Sequence, residues 1–230
     1  MERELKQFID QTMAKGATYV DARWYPFEES NSLVMWNGNL KALNASSESG
    51  VGVRVLYKGA WGFSASSSVG DLGDIFDKAL DNARVAAERV TFPVRLAEKD
   101  ALQASFSSPN AIDPFTVPMA DKVDFLQQMD VALDKPGVMQ RITAVEFVKK
   151  KIIFLDSEGS QIDKTIIDVF PMIMVMGMDK DGGMQMRKFR AGRLGKTRGW
   201  ETLDTEFFTA QAERITRELN ELLVAEDCPK

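Results

Sequence analysis

The sequence predicts an α+β fold with largely antiparallel sheets, in which a helix–strands–helix unit occurs twice. Three observations carry that expectation. Four segments place apolar residues at helical spacing. Extended runs lie between them, punctuated by Asn37-Gly38, Lys58-Gly59, Glu158-Gly159 and Asp181-Gly182. These are hairpin turns rather than βαβ crossovers, so strands pair with their neighbours in sequence.

The first helix carries Leu5, Phe8, Ile9 and Met13 on one face, and Gly16 is placed to end it. A strand pair follows around Asn37-Gly38, the dipeptide best suited to a two-residue hairpin. Residues 50–68 form a second hairpin, with Val51, Val53, Val55 and Tyr57 alternating along one strand and Trp61, Phe63 and Ala65 along the next. Gly59 is turn chemistry. Gly52 and Gly62 lie inside the strands, where a missing side chain marks a bulge or the close approach of another backbone or ligand. Asp71 opens a second helix with Leu72, Ile75, Phe76, Ala79, Ala83 and Ala86 on one face.

Residues 91–117 hold three of the eight prolines and no sustained period, which reads as an extended linker. The pattern then recurs. Val123, Leu126, Met129 and Leu133 suit a third helix, and three extended runs fill residues 142–189. Phe208, Ala212, Ile215, Leu219 and Leu222 suit a last helix. The expected division is a first unit over 1–90, the linker over 91–117 and a second unit over 118–230. The offset is roughly 120 residues, the mark of a duplication. The run Ile166–Met178 is apolar on both faces, as a strand covered on both sides or one facing a partner would be, and its methionines are expected to fill a core.

Composition excludes several function classes. The 230 residues carry a net charge of −5, which disfavours general nucleic-acid binding. The single cysteine, Cys228, rules out an intrachain disulfide and a multi-cysteine metal site, and fits a reducing cytoplasm. No signal-peptide core or membrane-spanning run is present, so no membrane partner is expected. There is no histidine. That removes His-based zinc sites, Ser-His and Cys-His nucleophile pairs and the commonest general base.

The remaining chemistry is sparse. Arg187, Lys188, Arg190, Arg193, Lys196 and Arg198 form a basic run without an acid, a candidate phosphate patch in which Phe189 could stack on a base. On an acidic chain with no DNA-binding motif, a solvated loop, or one docked on an acidic surface elsewhere, explains it more simply. Ser64, Ser66, Ser67 and Ser68 lack a base and read as turn and cap residues before Asp71. Asp179 and Asp181 precede glycine without the later glutamate of a calcium loop, so a hairpin turn is expected. No catalytic residues and no metal ligands are assigned.

The stretch GVGVRVLYKGAWGFSASS (50–67) resembles the strand pair near the start of the TldD/PmbA family, also called modulators of DNA gyrase or microcin-maturation peptidases. YVDARWYPFEES, WNGNLKALNASSESGVGVRV, DPFTVPMADKVDFLQQMD, LDSEGSQI and ERITRELNELLVAE agree in order, so the resemblance covers nearly the whole chain. The GAWGF element, Gly59 to Phe63, is more similar to the TldD branch. The resemblance implies a zinc metallopeptidase whose metal sits on a His-Glu-x-x-x-His motif in a further, C-terminal domain. That motif is absent here, so no zinc is expected in this chain. The implied role is that of an N-terminal domain, cytoplasmic and inactive alone. It would pair with a TldE/PmbA-like subunit or a second copy and touch unfolded peptide substrate. Gly52, Arg54, Trp61 and Gly62 are the candidate peptide or partner contacts; the simpler alternative for the two glycines is that they face a helix packed tightly on the sheet. The rival reading is a stand-alone regulatory module for a protein or nucleic-acid partner.

Overall fold

The computed structural model describes residues 1–68, 70–190 and 196–226. The elements run α1 (Glu2–Ala14), β1 (Tyr19–Trp36), β2 (Asn39–Tyr57), β3 (Ala60–Ser66), α2 (Leu72–Ala87), β4 (Gln103–Ser107), α3 (Met119–Leu133), β5 (Gln140–Asp156), β6 (Gln161–Met178), β7 (Met184–Arg190) and α4 (Thr205–Leu223). The fold is α+β, and a helix, three strands and a helix occur twice in that order. The β2–β3 and β6–β7 pairs are antiparallel. β4 lies inside the expected linker. It pairs parallel with β6, from Gln103 opposite Gln161 to Ser107 opposite Thr165, so that segment is not purely extended coil.

The predicted turns form for the expected reason. Asn37 and Lys58 take φ of 47° ahead of Gly38 at 73° and Gly59 at 79°, the two positive values that a twisted two-residue hairpin needs. The later turns are built by carboxylates. Asp156 Oδ1 accepts from the N–H groups of Glu158 and Ser160, and Asp179 Oδ1 accepts from those of Asp181 and Gly183. Asp71 caps α2 by accepting from the Asp74 N–H at 3.1 Å, as the serine-rich approach to it implied.

Two compact units emerge, and the long strands β1, β2, β5 and β6 contribute a half to each. One unit comprises Met1–Glu28, Ser47–Ser107 and Lys150–Ile166. Its strand order is β3-β2-β1-β5-β6-β4. Leu5 and Ile9 of α1, with Leu72, Ile75, Phe76, Ala79, Leu80 and Ala83 of α2, pack on Val20, Ala22, Val51, Val53, Val55, Ile153 and Leu155 of the sheet. The other comprises Glu29–Ser46, Ser108–Lys149 and Ile167–Lys230. There α3 and α4 pack Phe125, Leu126, Met129, Leu133, Phe208, Ala212, Ile215 and Leu219 on Leu33, Met35, Val145, Phe147, Val169, Ile173 and Val175. In both units these buried strand residues alternate with residues turned to the opposite face of the sheet.

The methionine run corrects one expectation. Ile167, Val169, Ile173 and Val175 of β6 enter the core, whereas Met172, Met174 and Met176 are half-buried and Met178 is exposed. Only one face of β6 is covered by helices.

Candidate functional site: the face opposite α1 and α2

In the first unit, alternation along β1 sends Val20 and Ala22 into the core and Tyr19, Asp21, Arg23 and Tyr25 to the opposite face. On β2 the same rule turns Gly52 and Arg54 away from Val51, Val53 and Val55. The register then places Arg54 opposite Phe63 and Leu56 opposite Trp61. Residues directly opposite share a face, so Arg54 and Phe63 stand together.

Asp21 is the centre of this face. Its side chain is fully buried and accepts from Arg54 Nη2 at 2.7 Å, Arg54 Nε at 3.0 Å and Arg23 Nη1 at 3.0 Å. The Arg54 guanidinium lies 5.1 Å from the Trp61 ring centre, and Trp61 meets Tyr19 edge-on at 5.8 Å. A second buried carboxylate, Asp156, accepts from Lys99 Nζ at 2.7 Å. The same ammonium lies 3.4 Å from Glu158 Oε2 and 5.9 Å from the Tyr19 ring centre.

Every resolved pKa shift here holds the charge state already present at neutral pH. Burial, with the Asp21 and Asp156 carboxylates, pushes the Tyr19 phenol above its ordinary value. The hydrogen bond to Asp21 raises Arg54, and that to Asp156 raises Lys99. Burial alone would raise Asp156, but Lys99 and Ser160 together bring it below the usual carboxylate range. None of these groups is poised near neutrality, as a general acid or base must be. The arrangement fixes a rigid aromatic and cationic surface.

The candidate contacts therefore separate. Arg54 and Trp61 are brought together on this face, with Gly52 beside the Phe63 ring, whose nearest atom would lie 3.4 Å from an added Cβ. Gly62 is on the other side. A Cβ there would lie 2.1 Å from the Ala79 carbonyl oxygen and 2.3 Å from the Ala83 nitrogen of α2. The missing side chain is explained by the helix seated on β3, and no outside backbone is needed. Sequence reasoning missed Tyr19, Asp21, Arg23 and Lys99. The alternation in YVDARWY signals a shared face for the first three, but the pairing of Asp21 with Arg54 depends on strand register.

Arg23 also borders a shallow groove of about 270 Å³ lined by Tyr25, Ile152, Phe154, Ile162 and Lys164. Its guanidinium lies 5.2 Å from the Phe154 ring centre.

In the second unit the described residues of the basic run are divided between two faces. Arg187 borders Glu218 and Glu221 of α4, whereas Lys188 and Arg190 alternate to the opposite face. Phe189 packs on Phe207 and Phe208 at 5.8 and 5.9 Å, so it is not presented to a base. Lys196 pairs through its backbone with Val169, Arg198 is exposed, and Arg193 lies outside the described residues. The face opposite α3 and α4 instead carries methionine. Met176 stands opposite Met186 and Met178 opposite Met184, while Met174 and Met172 face Lys188 and Arg190.

Among the described residues no group of His, Cys, Asp or Glu could hold a metal ion, and the chain has no histidine. The zinc implied by the resemblance has no ligand set among the described residues. No described helix is long and apolar enough to cross a membrane. Cys228 lies outside the described residues.

Residues 27–87 match the family described as PmbA/TldA metallopeptidase domain 1. Metalloprotease MJ0996 of Methanocaldococcus jannaschii is 27% identical over 214 residues, which span 92% of this chain and 46% of that protein. A metalloprotease of Methanothermobacter thermautotrophicus is 26% identical over 200 residues, spanning 87% and 42%. The chain thus spans less than half the length of these relatives. Among solved structures, a protein described as a modulator of a DNA gyrase from Thermotoga maritima superposes with a TM-score of 0.76 at 16% identity. That match covers 100% of this chain and 50% of the other. TldE from Thermococcus kodakarensis gives 0.57 at 12% identity, covering 94% and 47%. At these identities the structural likeness establishes the fold.

Proposed function

We propose that this chain, which belongs to the TldD/PmbA family, is the N-terminal domain of a zinc metallopeptidase of the TldD branch. In this reading it supplies contacts to unfolded peptide and to a partner subunit, and does not hydrolyse peptides alone. The observation that carries the reading is the Asp21–Arg54–Trp61 cluster, with Gly52 beside it. Arginine and tryptophan at a preset geometry recur where a surface takes a ligand, because little conformational freedom is lost on binding. The partner is a TldE/PmbA-like subunit or a second copy of the chain, in the cytoplasm. The sequence segments 1–90 and 118–230 are, in this reading, the duplicated halves of that domain, each contributing strands to both compact units.

A fluorescein-labelled unstructured peptide of about twelve residues tests this, a length that crosses a sheet face at roughly 3.3 Å per residue. Saturable anisotropy with the wild-type chain is expected, weakened about tenfold in Trp61→Ala, a typical loss for a buried aromatic anchor. An unchanged affinity in a folded Trp61→Ala variant, or no saturable binding at all, would reject the contact role.

A further inference from the structure

We infer that the Arg23–Lys164 groove is a subsite for an acidic residue of the bound peptide, an inference that rests on the peptide-contact reading above. The argument is one of charge and shape. The groove has an apolar floor of Ile152, Phe154 and Ile162 with a cation at either side. Arg23 commits only Nη1 to Asp21, at 3.0 Å, which leaves the other edge of its guanidinium able to donate. The buried Asp21 carboxylate is shared by two guanidiniums, Arg23 and Arg54, so one positive charge on this face is not neutralised by it. Lys164 is exposed and has no ion-pair partner among the described residues. The neighbouring acid Asp163 alternates to the opposite face, where it pairs with Lys151 at 3.0 Å. The groove is thus positive in a chain whose net charge is −5.

The ring of Phe154 holds the Arg23 guanidinium in place from below, so its donors are aimed before a ligand arrives. A glutamate side chain matches this site. Its methylenes lie along the isoleucines, and its carboxylate accepts from Arg23 and Lys164 together. Phe106 of β4, which stands beside Lys164 in the parallel register, adds an exposed apolar rim. A neutral glutamine fills the same space, and its amide oxygen can still accept from either cation, but it forgoes the ion pair.

The test uses two labelled unstructured peptides that differ only by one central Glu or Gln. The wild-type chain is expected to bind the Glu peptide about tenfold more tightly, one charge-assisted hydrogen bond's difference. Raising salt should shrink that ratio. Lys164→Met is expected to remove most of the ratio by weakening the Glu peptide far more than the Gln peptide, and Lys164→Arg to preserve it. Because Lys164 is exposed, a thermal melt should report both variants as folded. Equal affinity for the two peptides, or an equal loss for both in Lys164→Met, overturns the subsite while leaving peptide contact intact. Failure of both peptides to bind overturns the peptide-contact reading, and the subsite falls with it.

Discussion

Substituting Gly62 asks whether β3 lacks a side chain for the sake of a helix or of an outside partner. An alanine Cβ would lie 2.1 Å from the Ala79 carbonyl oxygen, 2.3 Å from the Ala83 nitrogen and 2.8 Å from the Ala83 methyl. All three belong to α2, so no side chain can rotate aside. The helix would have to retreat by about 1 Å to reach ordinary contact distance, loosening a close-packed layer. That layer holds Leu72, Ile75, Phe76, Ala79, Leu80 and Ala83, all buried. Overpacking of this kind costs about 1–3 kcal/mol, and backbone contacts place Gly62→Ala at the upper end, about 3 kcal/mol. At roughly 3 kcal/mol per molar urea, the midpoint falls by about 1 M. Gly52→Ala is the control. Its Cβ meets only the edge of Phe63 at 3.4 Å, so a change within about 0.5 kcal/mol is expected. Urea unfolding followed by far-UV circular dichroism reads both variants. A Gly62→Ala protein that unfolds at the wild-type midpoint would refute the packing argument, as would an equal loss in Gly52→Ala.

Three further outcomes follow from the same geometry. Asp21→Asn should cost about 2 kcal/mol, because Arg54 and Arg23 lose a shared carboxylate but can turn to water; combined with Arg54→Met it should cost less than the sum of the two single changes. Asp156 has a folded pKa below its unfolded value of about 4, so its contribution is full above pH 4 and is lost as pH falls through the folded value. Asp156→Asn should therefore flatten the acid limb of stability against pH, and an acid limb identical to wild type would contradict the assignment. Lys122 is buried between Phe115 and Phe147, with Asn31 Oδ1 at 2.8 Å, and burial lowers its pKa although Asp113 opposes the shift. A lysine lowered in this way costs stability while charged, a cost relieved as pH rises from the folded value towards about 10. Lys122→Met should accordingly raise the thermal midpoint at pH 7, by about 1 kcal/mol of stability, and a lower midpoint would show that the aromatic contacts outweigh the burial cost.

The four helices and most strands were legible because apolar periodicity and glycine turns are local signals. Gly38 and Gly59 need only their immediate neighbours to announce a hairpin. β4 was not legible, since every residue of QASFS is exposed and carries no alternation of burial to read. The interleaving of the two units was hidden by strand length. β1, β2, β5 and β6 run 17–19 residues, far beyond the usual five or six, and each serves two cores. At the candidate site the sequence pointed to Arg54 and Trp61 but not to Asp21, because a buried carboxylate is explained only by the cation that register places across from it. The basic run was legible as charge but not as a surface. Residues adjacent in sequence along β7 point to opposite faces, so Arg187 parts from Lys188 and Arg190.

On the proposed function this chain recognises peptide without cleaving it. Mass spectrometry of an unstructured peptide incubated with the zinc-supplemented chain, with and without a chelator, tests it most directly. Intact peptide under both conditions, at concentrations where anisotropy shows it bound, is the predicted result. Chelator-sensitive fragments would contradict it.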